Sequence, residues 1–291
     1  MSHQPAENAL ATLGAQRVDR LRELPGLAIG AIAGRDSVAA IVAAVRAGGV
    51  SSVLPTSVAT GTEYGDETAP LAGVALLREI LAGQCEVLDP VRIGSPSLWA
   101  ALNGRFAAEI AERWNIGSAC LACHLYVHLA RVPLSWALGG APIVTGERDT
   151  HDGRIKLSQT AASIDAETRV LAYAGVELVT PLREATSSDV SELVPGWREG
   201  ERQLCCVHSG NYKRLDGTVT FDAAGYATYL DEFFEPAGRA VVDSWRAAGL
   251  DRPSADQPPV TLDYEGLIAQ VLAQRSGSSA SAIAYADHLL D

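Results

Sequence analysis

Residues 26–45 read GLAIGAIAGRDSVAAIVAAV. An apolar run short enough for a buried strand stops at Ala33-Gly34-Arg35-Asp36-Ser37, and an Ala-rich run of helical length begins at once. A strand that feeds straight into a helix is half of a βαβ unit, whose next strand lies parallel to the first. The same alternation continues along the chain. Strands are expected over residues 27–33, 50–58, 85–91, 141–145 and 176–179. Helices are expected over 37–47, ended by Gly48-Gly49, over 70–82, over 97–114 and over 119–138 with a kink at Pro133. Ser187-Ser188-Asp189 is expected to cap a further helix running to about residue 194. An amphipathic helix over 5–24 precedes the pattern; two helices near 223–248 and 263–275 and a Ser-rich stretch at 276–281 follow it. The fold class is therefore α/β: an open parallel sheet with helices on both faces, plus a helical C-terminal extension. The expected division is an N-terminal helix over 1–24, an α/β domain over 25–200, and the extension over 201–291.

With 291 residues, 47% hydrophobic and 20% charged, the chain can bury a full core as a soluble globular protein. No apolar stretch reaches the roughly 18–20 residues of a spanning helix. The start MSHQPAENAL has neither the basic nor the apolar region of a signal peptide, so a cytoplasmic protein with no membrane partner is expected. Only 23 basic residues face 35 acidic ones, a net charge of −12. That field opposes a polyanion, so tRNA is disfavoured as a partner and a small-molecule substrate is favoured. A homodimer is allowed for.

In an open parallel sheet, ligands bind beyond the carboxyl ends of the strands, where helix N-termini present free N–H groups. The turn at 33–37 has the residue types for a phosphate there. Gly34 lets the backbone approach a ligand, Ser37 and the first-turn amides can hold phosphate oxygens, and Arg35 adds a cation. Asp36 would repel phosphate unless Mg²⁺ lay between them, which points to a metal–nucleotide site. The same residues also read as a capped helix start. Neither G-x-x-x-x-G-K-[ST] nor G-x-G-x-x-G occurs at this turn.

Five cysteines stand at 85, 120, 123, 205 and 206. Their clustering in a reducing compartment argues for metal or sulfur chemistry over disulfides, with Cys85 a small buried hydrophobe. Cys120-Leu121-Ala122-Cys123-His124 matches a haem-attachment pattern, but nothing else suggests export or a haem pocket. A four-cysteine zinc site would need both Cys205 and Cys206 to reach one ion, although neighbouring side chains diverge. Cys120, Cys123 and one of the later pair fit better as three thiolates on an iron–sulfur cluster with one iron left open. A helix N-terminus at Cys120 would favour thiolate over thiol.

The turn resembles the PP-loop of the ATP pyrophosphatase superfamily, S-G-G-x-D-S, over Ile32-Ala33-Gly34-Arg35-Asp36-Ser37. Gly34, Asp36 and Ser37 match; Ile32 and Ala33 stand where the motif has serine and glycine. The cysteines sharpen the likeness to the sulfur-inserting branch, of the tRNA 2-thiocytidine synthetase kind. Those enzymes follow the PP-loop with C-x-x-C and a distant third cysteine, and here Cys206 lies 83 residues beyond Cys123. The run from Cys206 through Asn211 to Arg214 is similar to their Cys-x4-Asn-x2-Arg, which favours Cys206 over Cys205 as third ligand. Gly146-Glu147-Arg148-Asp149-Thr150-His151-Asp152 is similar to their Gly-His-His-x-Asp-Asp, with Glu147 and Arg148 in place of the histidines. Pro181-Leu182-Arg183 looks like their Pro-Leu segment, and the likeness spans residues 26–214.

The resemblance implies a Rossmann-like, adenine nucleotide alpha hydrolase-like domain that uses ATP, Mg²⁺ and a 4Fe–4S cluster. It implies adenylation of a substrate oxygen with release of pyrophosphate, then replacement of that oxygen by sulfur from an unidentified donor. Asp36 would hold Mg²⁺, and Ala33, Gly34, Ser37, Gly146 and Asp149 would line the nucleotide. Arg35, Lys156 and Arg183 would be countercharges, and Cys120, Cys123 and Cys206 the cluster ligands, with Cys205 in reserve. The acceptor would be a small molecule or nucleobase. The alternatives are a zinc-stabilised PP-loop ligase or amidating enzyme, and a nucleotide-binding regulatory module without catalysis.

Overall fold

The computed structural model describes residues 13–151, 154–198, 202–219, 222–252 and 260–275. Residues 5–12 of the expected first helix, Asp152 and the Ser-rich stretch at 276–281 lie outside them; the described part of that helix is Ala15–Arg22.

The hydrophobic run after Gly26 forms β1, Leu27–Ala31, with all five residues buried. It is the middle of a six-stranded parallel sheet. On one side it pairs with β2, Ser52–Val58, and on the other with β6, Ile143–Val144, which pairs with β7, Leu178–Val179. The edge beyond β2 is shared by β4, Glu86–Val87, and β5, Val91–Ile93, both paired with β2. The one strand expected over 85–91 is thus two short ones. Pro90 separates them because it has no N–H to offer the ladder. A small antiparallel pair joins β3, Glu63–Tyr64, to β8, Cys205–Cys206.

Side chains alternate across β1. Ala28 belongs to one buried cluster with Val38, Ile41, Val74 and Val190, supplied by the helices Arg35–Ala47, Ala69–Ile80 and Ser187–Leu193. Leu27 and Ile29 belong to a larger cluster on the other face, with Leu121, Leu125, Val170, Phe234 and Val241. Its helices include Cys120–Leu129, Ala161–Tyr173 and Glu235–Ala247. Helices therefore cover both faces, as a fully parallel sheet requires, and the fold is α/β and Rossmann-like with a helical C-terminal region. Among the described residues, no helix is long and apolar enough to cross a membrane.

Three further expectations are corrected, and one helix is added. The single helix expected over 97–114 is broken into Pro96–Trp99, a wide turn over Ala100–Gly104 and Ala107–Trp114. The break follows Gly104, where helix propensity is weakest, and the Arg105 N–H reaches back to the Ala100 carbonyl at 2.8 Å. The stretch over 119–138 is two helices, Cys120–Leu129 and Val132–Ala137, with Pro133 at the start of the second rather than inside one kinked rod. The helix Ser187–Leu193 is capped one residue earlier than expected, because the Thr186 hydroxyl accepts the Asp189 N–H at 3.3 Å. The helix Ala161–Tyr173 was not expected at all; the Thr160 hydroxyl caps it by accepting the Ser163 N–H at 3.2 Å.

Tyr126 ties the helix Cys120–Leu129 to the sheet. Its buried hydroxyl donates to the Ala59 carbonyl at 2.8 Å and accepts the Ser95 N–H at 2.8 Å, joining the segments that leave β2 and β5. Tyr126→Phe keeps the ring but leaves both backbone groups unpaired. It should lower unfolding free energy by about 1–3 kcal/mol in urea titration.

Candidate functional site

The strand order reverses at β1, with β2 to one side and β6 to the other, so the loops leaving β1 and β6 flank the crevice where α/β sheets bind ligands. The first loop is the turn at 32–34. The Ser37 hydroxyl closes it, accepting the N–H groups of Ala33 at 2.9 Å and Gly34 at 3.0 Å and donating to the Gly34 carbonyl at 2.7 Å. Ser37 is thereby committed to shaping the turn.

The second loop packs directly on this turn. A Cβ on Gly146 would stand 2.4 Å from the carbonyl carbon of Asp36 and 2.5 Å from the nitrogen of Ser37. Only a glycine permits that approach. Two residues on, the Arg148 Nε donates to Asp36 Oδ2 at 2.9 Å while its other arm donates to the Ala185 carbonyl at 2.9 Å. Arg148 is among the largest fully buried side chains of the protein. Arg35 contacts the other Asp36 oxygen at 3.3 Å. Lys156 lies within the field of Asp36, Arg148 and Glu147; burial lowers its pKa, and its ammonium donates to Gln159 Oε1 at 3.1 Å. Burial, with the Lys156 and Arg148 cations, pushes His151 down to about 4, so its ring is neutral at pH 7.

Arg183 stands differently. It is held by Asp149 at 3.1 Å and Asp165 at 2.7 Å, so it braces the β6 and β7 loops against the helix Ala161–Tyr173. Arg148, to which the sequence assigned no role, meets Asp36 together with Arg35.

The thiols gather nearby. The segment before β8 crosses the turn after β1, since a Cβ on Gly34 would meet the Gln203 side chain at 2.5 Å. The β3–β8 pairing sets Cys206 opposite Glu63 and Cys205 opposite Tyr64. Successive strand residues face opposite ways, so Cys205 is exposed beside Tyr64 whereas Cys206 is half-buried. Cys206 Sγ lies 3.4 Å from the Thr62 hydroxyl, and Cys123 Sγ accepts the Trp99 indole N–H at 3.4 Å. Cys120 Sγ sits 3.5 Å from the His208 carbonyl and 3.9 Å from Asn211 Oδ1. Burial raises Cys120, and it pushes Cys123 up to about 12, with the nearby Cys206 adding to both shifts. The expected preference for thiolate at this helix N-terminus is thus outweighed by desolvation. Cys85 lies apart from these thiols, between the helix Ala69–Ile80 and β4.

The second and third turns of the helix Cys120–Leu129 build a second cluster. His124 Nδ1 lies 3.2 Å and His128 Nε2 3.3 Å from Glu147 Oε1, and His128 Nε2 lies 3.5 Å from Glu167 Oε2. The ligand atoms of His124, His128 and Glu147 fall within 4.8 Å of one another, a spacing at which they could share an ion; no thiol belongs to such a group among the described residues. Against burial, which would raise it, the two imidazoles hold Glu147 well below the usual carboxylate range. Against burial, which would lower it, Glu167 and Glu147 hold His128 at about 9. The spacing H-x3-H was the available sequence signal, since residues four apart share a helix face. Glu147 and Glu167 had none.

No known protein-family model matches the chain. It is 36% identical over 223 residues to a Methanocaldococcus jannaschii protein named Uncharacterized protein MJ0009, a match covering 75% of this chain and 79% of the relative. The chain belongs to the family of that archaeal protein.

Gly146→Ala drives its Cβ into backbone that has nowhere to move, and should cost about 1–3 kcal/mol of stability or more. Gly104→Ala, whose Cβ would find its nearest neighbour at 3.8 Å, should leave thermal unfolding unchanged or slightly raised. The pair of melting curves checks the close approach.

Proposed function

We propose that this chain, as a member of the M. jannaschii protein's family, is an ATP-dependent sulfurtransferase of the PP-loop type acting on a small molecule or nucleobase. One observation supports the reading: a single segment, residues 202–206, lies over Gly34 at the turn after β1 and carries Cys206 within electrostatic reach of Cys120 and Cys123. A reaction that activates an oxygen with ATP and then replaces it with sulfur needs those two centres side by side.

The residues fit an iron–sulfur cluster better than one ion. Three thiols from two elements approach one another without converging to the spacing of a mononuclear site. Two of the sulfurs also have N–H or O–H donors at 3.4 Å, from Trp99 and Thr62, as sulfurs around such clusters commonly do. Cys120, Cys123 and Cys206 would hold the cluster. When bound it would supply an iron without a protein ligand, able to take up sulfur.

At the nucleotide end, the first-turn amides after Gly34 would receive phosphate oxygens at a helix N-terminus. Arg35, Arg148 and Lys156 would balance the polyphosphate charge, and Asp36 would exchange its contact with Arg148 for Mg²⁺. The substrate oxygen attacks the α-phosphorus of ATP, pyrophosphate leaves, and the carbon–oxygen bond to AMP is then broken as a carbon–sulfur bond forms.

Anaerobically prepared protein, given ATP, a sulfide source and a panel of free nucleobases and nucleosides, should form AMP and pyrophosphate in equal amounts together with a thiolated product. Asp36→Ala should lower pyrophosphate formation at least a hundredfold while leaving the circular dichroism spectrum intact. Formation of ADP and phosphate, or full activity in Asp36→Ala, would contradict the assignment.

A further inference from the structure

We infer that His124, His128 and Glu147, with Glu167 adjoining through His128, form a divalent transition-metal site, separate from the thiols and suited to Zn²⁺. The inference does not rest on sulfur transfer or on ATP.

Three elements supply the ligands. His124 and His128 are four residues apart on the helix Cys120–Leu129, Glu147 comes from the loop after β6, and Glu167 comes from the helix Ala161–Tyr173. Zinc at about 2.0–2.1 Å from tetrahedral nitrogen and oxygen ligands sets those ligands about 3.3–3.4 Å apart. Glu147 Oε1 lies 3.2 Å from His124 and 3.3 Å from His128, within a group of three whose ligand atoms all fall within 4.8 Å of one another, and Glu167 adjoins it 3.5 Å from His128. The set is also electrically matched, because two neutral imidazoles and two carboxylates balance one divalent cation.

A network of imidazolium and carboxylate groups without metal would have similar distances but would be hydrogen bonded. Here His124 Nδ1 and Glu147 Oε1 are hydrogen bonded, but both nitrogens of His128 and both oxygens of Glu167 are buried without a hydrogen-bond partner, although His128 Nε2 stands at ion-pair distance from Glu147 and Glu167. Buried polar atoms are rarely left so unless something else binds them. His128 is 1% exposed and Glu167 fully buried, whereas His124 is 30% exposed and gives an ion a way in. Behind the site, the Gln159 amide donates to Glu147 Oε2 at 2.7 Å, which leaves Oε1 turned to the histidines. That is the outer-shell support expected of a ligating carboxylate. Arg148 is bonded to Asp36, and Lys156 lies within the fields of both Asp36 and Glu147. A bound ion would thus pin the β6 loop to the helix that carries Cys120 and Cys123.

The test uses the full chain, stripped with a chelator under reducing, anaerobic conditions and titrated with Co²⁺ as a spectroscopic stand-in for Zn²⁺. The wild type should take up one equivalent with ligand-field bands that lack thiolate charge transfer. Those bands should be absent in His124→Ala, whose half-exposed ring can be removed with little effect on folding. Gln159→Ala, which keeps every ligand, should bind roughly tenfold more weakly. Cobalt bands that persist in His124→Ala, an affinity unchanged in Gln159→Ala, or a wild-type spectrum with thiolate charge transfer alone would overturn the site.

Discussion

The contact on which the site depends is the close approach of Gly146 to the backbone of Asp36 and Ser37. Two loops that leave adjacent parallel strands would ordinarily diverge over the sheet edge, leaving room between them. Here the missing side chain lets the β6 loop rest on the first turn of the helix Arg35–Ala47, and the buried guanidinium of Arg148 locks it there through Asp36. Three consecutive residues then serve three ends. Gly146 makes the contact, Glu147 turns toward the histidines, and Arg148 turns toward the Asp36 carboxylate.

The helix Cys120–Leu129 is the second organising element. Its first turn carries Cys120 and Cys123 toward Cys206, and its second and third turns carry His124 and His128 toward Glu147. Tyr126 fixes it to the ends of β2 and β5, so the thiol end and the imidazole end move as one body. The proposed sulfur chemistry at one end and the inferred ion at the other would be compatible because the donor types differ: thiolates suit iron–sulfur clusters, and mixed imidazole and carboxylate sets suit Zn²⁺ or Fe²⁺.

The sequence carried the sheet, because periodicity does. β1, β2 and the helices at 35–47 and 69–80 stand within two residues or so of expectation, each a strong apolar run between glycines, prolines or capping residues. What escaped was set by longer-range geometry. The helix Ala161–Tyr173 mixes Ser, Asp, Glu and Thr among its apolar residues, so its cap at Thr160 and its Ile164, Val170 and Leu171 face were easily missed. With it went Glu167. Arg148 as the partner of Asp36 lay 112 residues away in the chain, and no local pattern announces such a pairing. The C-x-x-C spacing drew notice to Cys120 and Cys123 at the expense of the histidines beside them. The separation of Cys205 from Cys206 was foreseeable, since neighbouring strand residues point apart; that Cys206 is the inward one needed the register with Glu63 and Tyr64.

The central claim is that the chain brings three thiols to a cluster beside a nucleotide turn. Iron and acid-labile sulfide, measured in protein purified without oxygen, test it most directly when wild type, Cys205→Ala and Cys206→Ala are compared. The account predicts about four irons and four sulfides per chain in wild type and Cys205→Ala, and near-complete loss of both in Cys206→Ala. Iron-free wild-type protein, or loss in Cys205→Ala with Cys206→Ala unaffected, would contradict it.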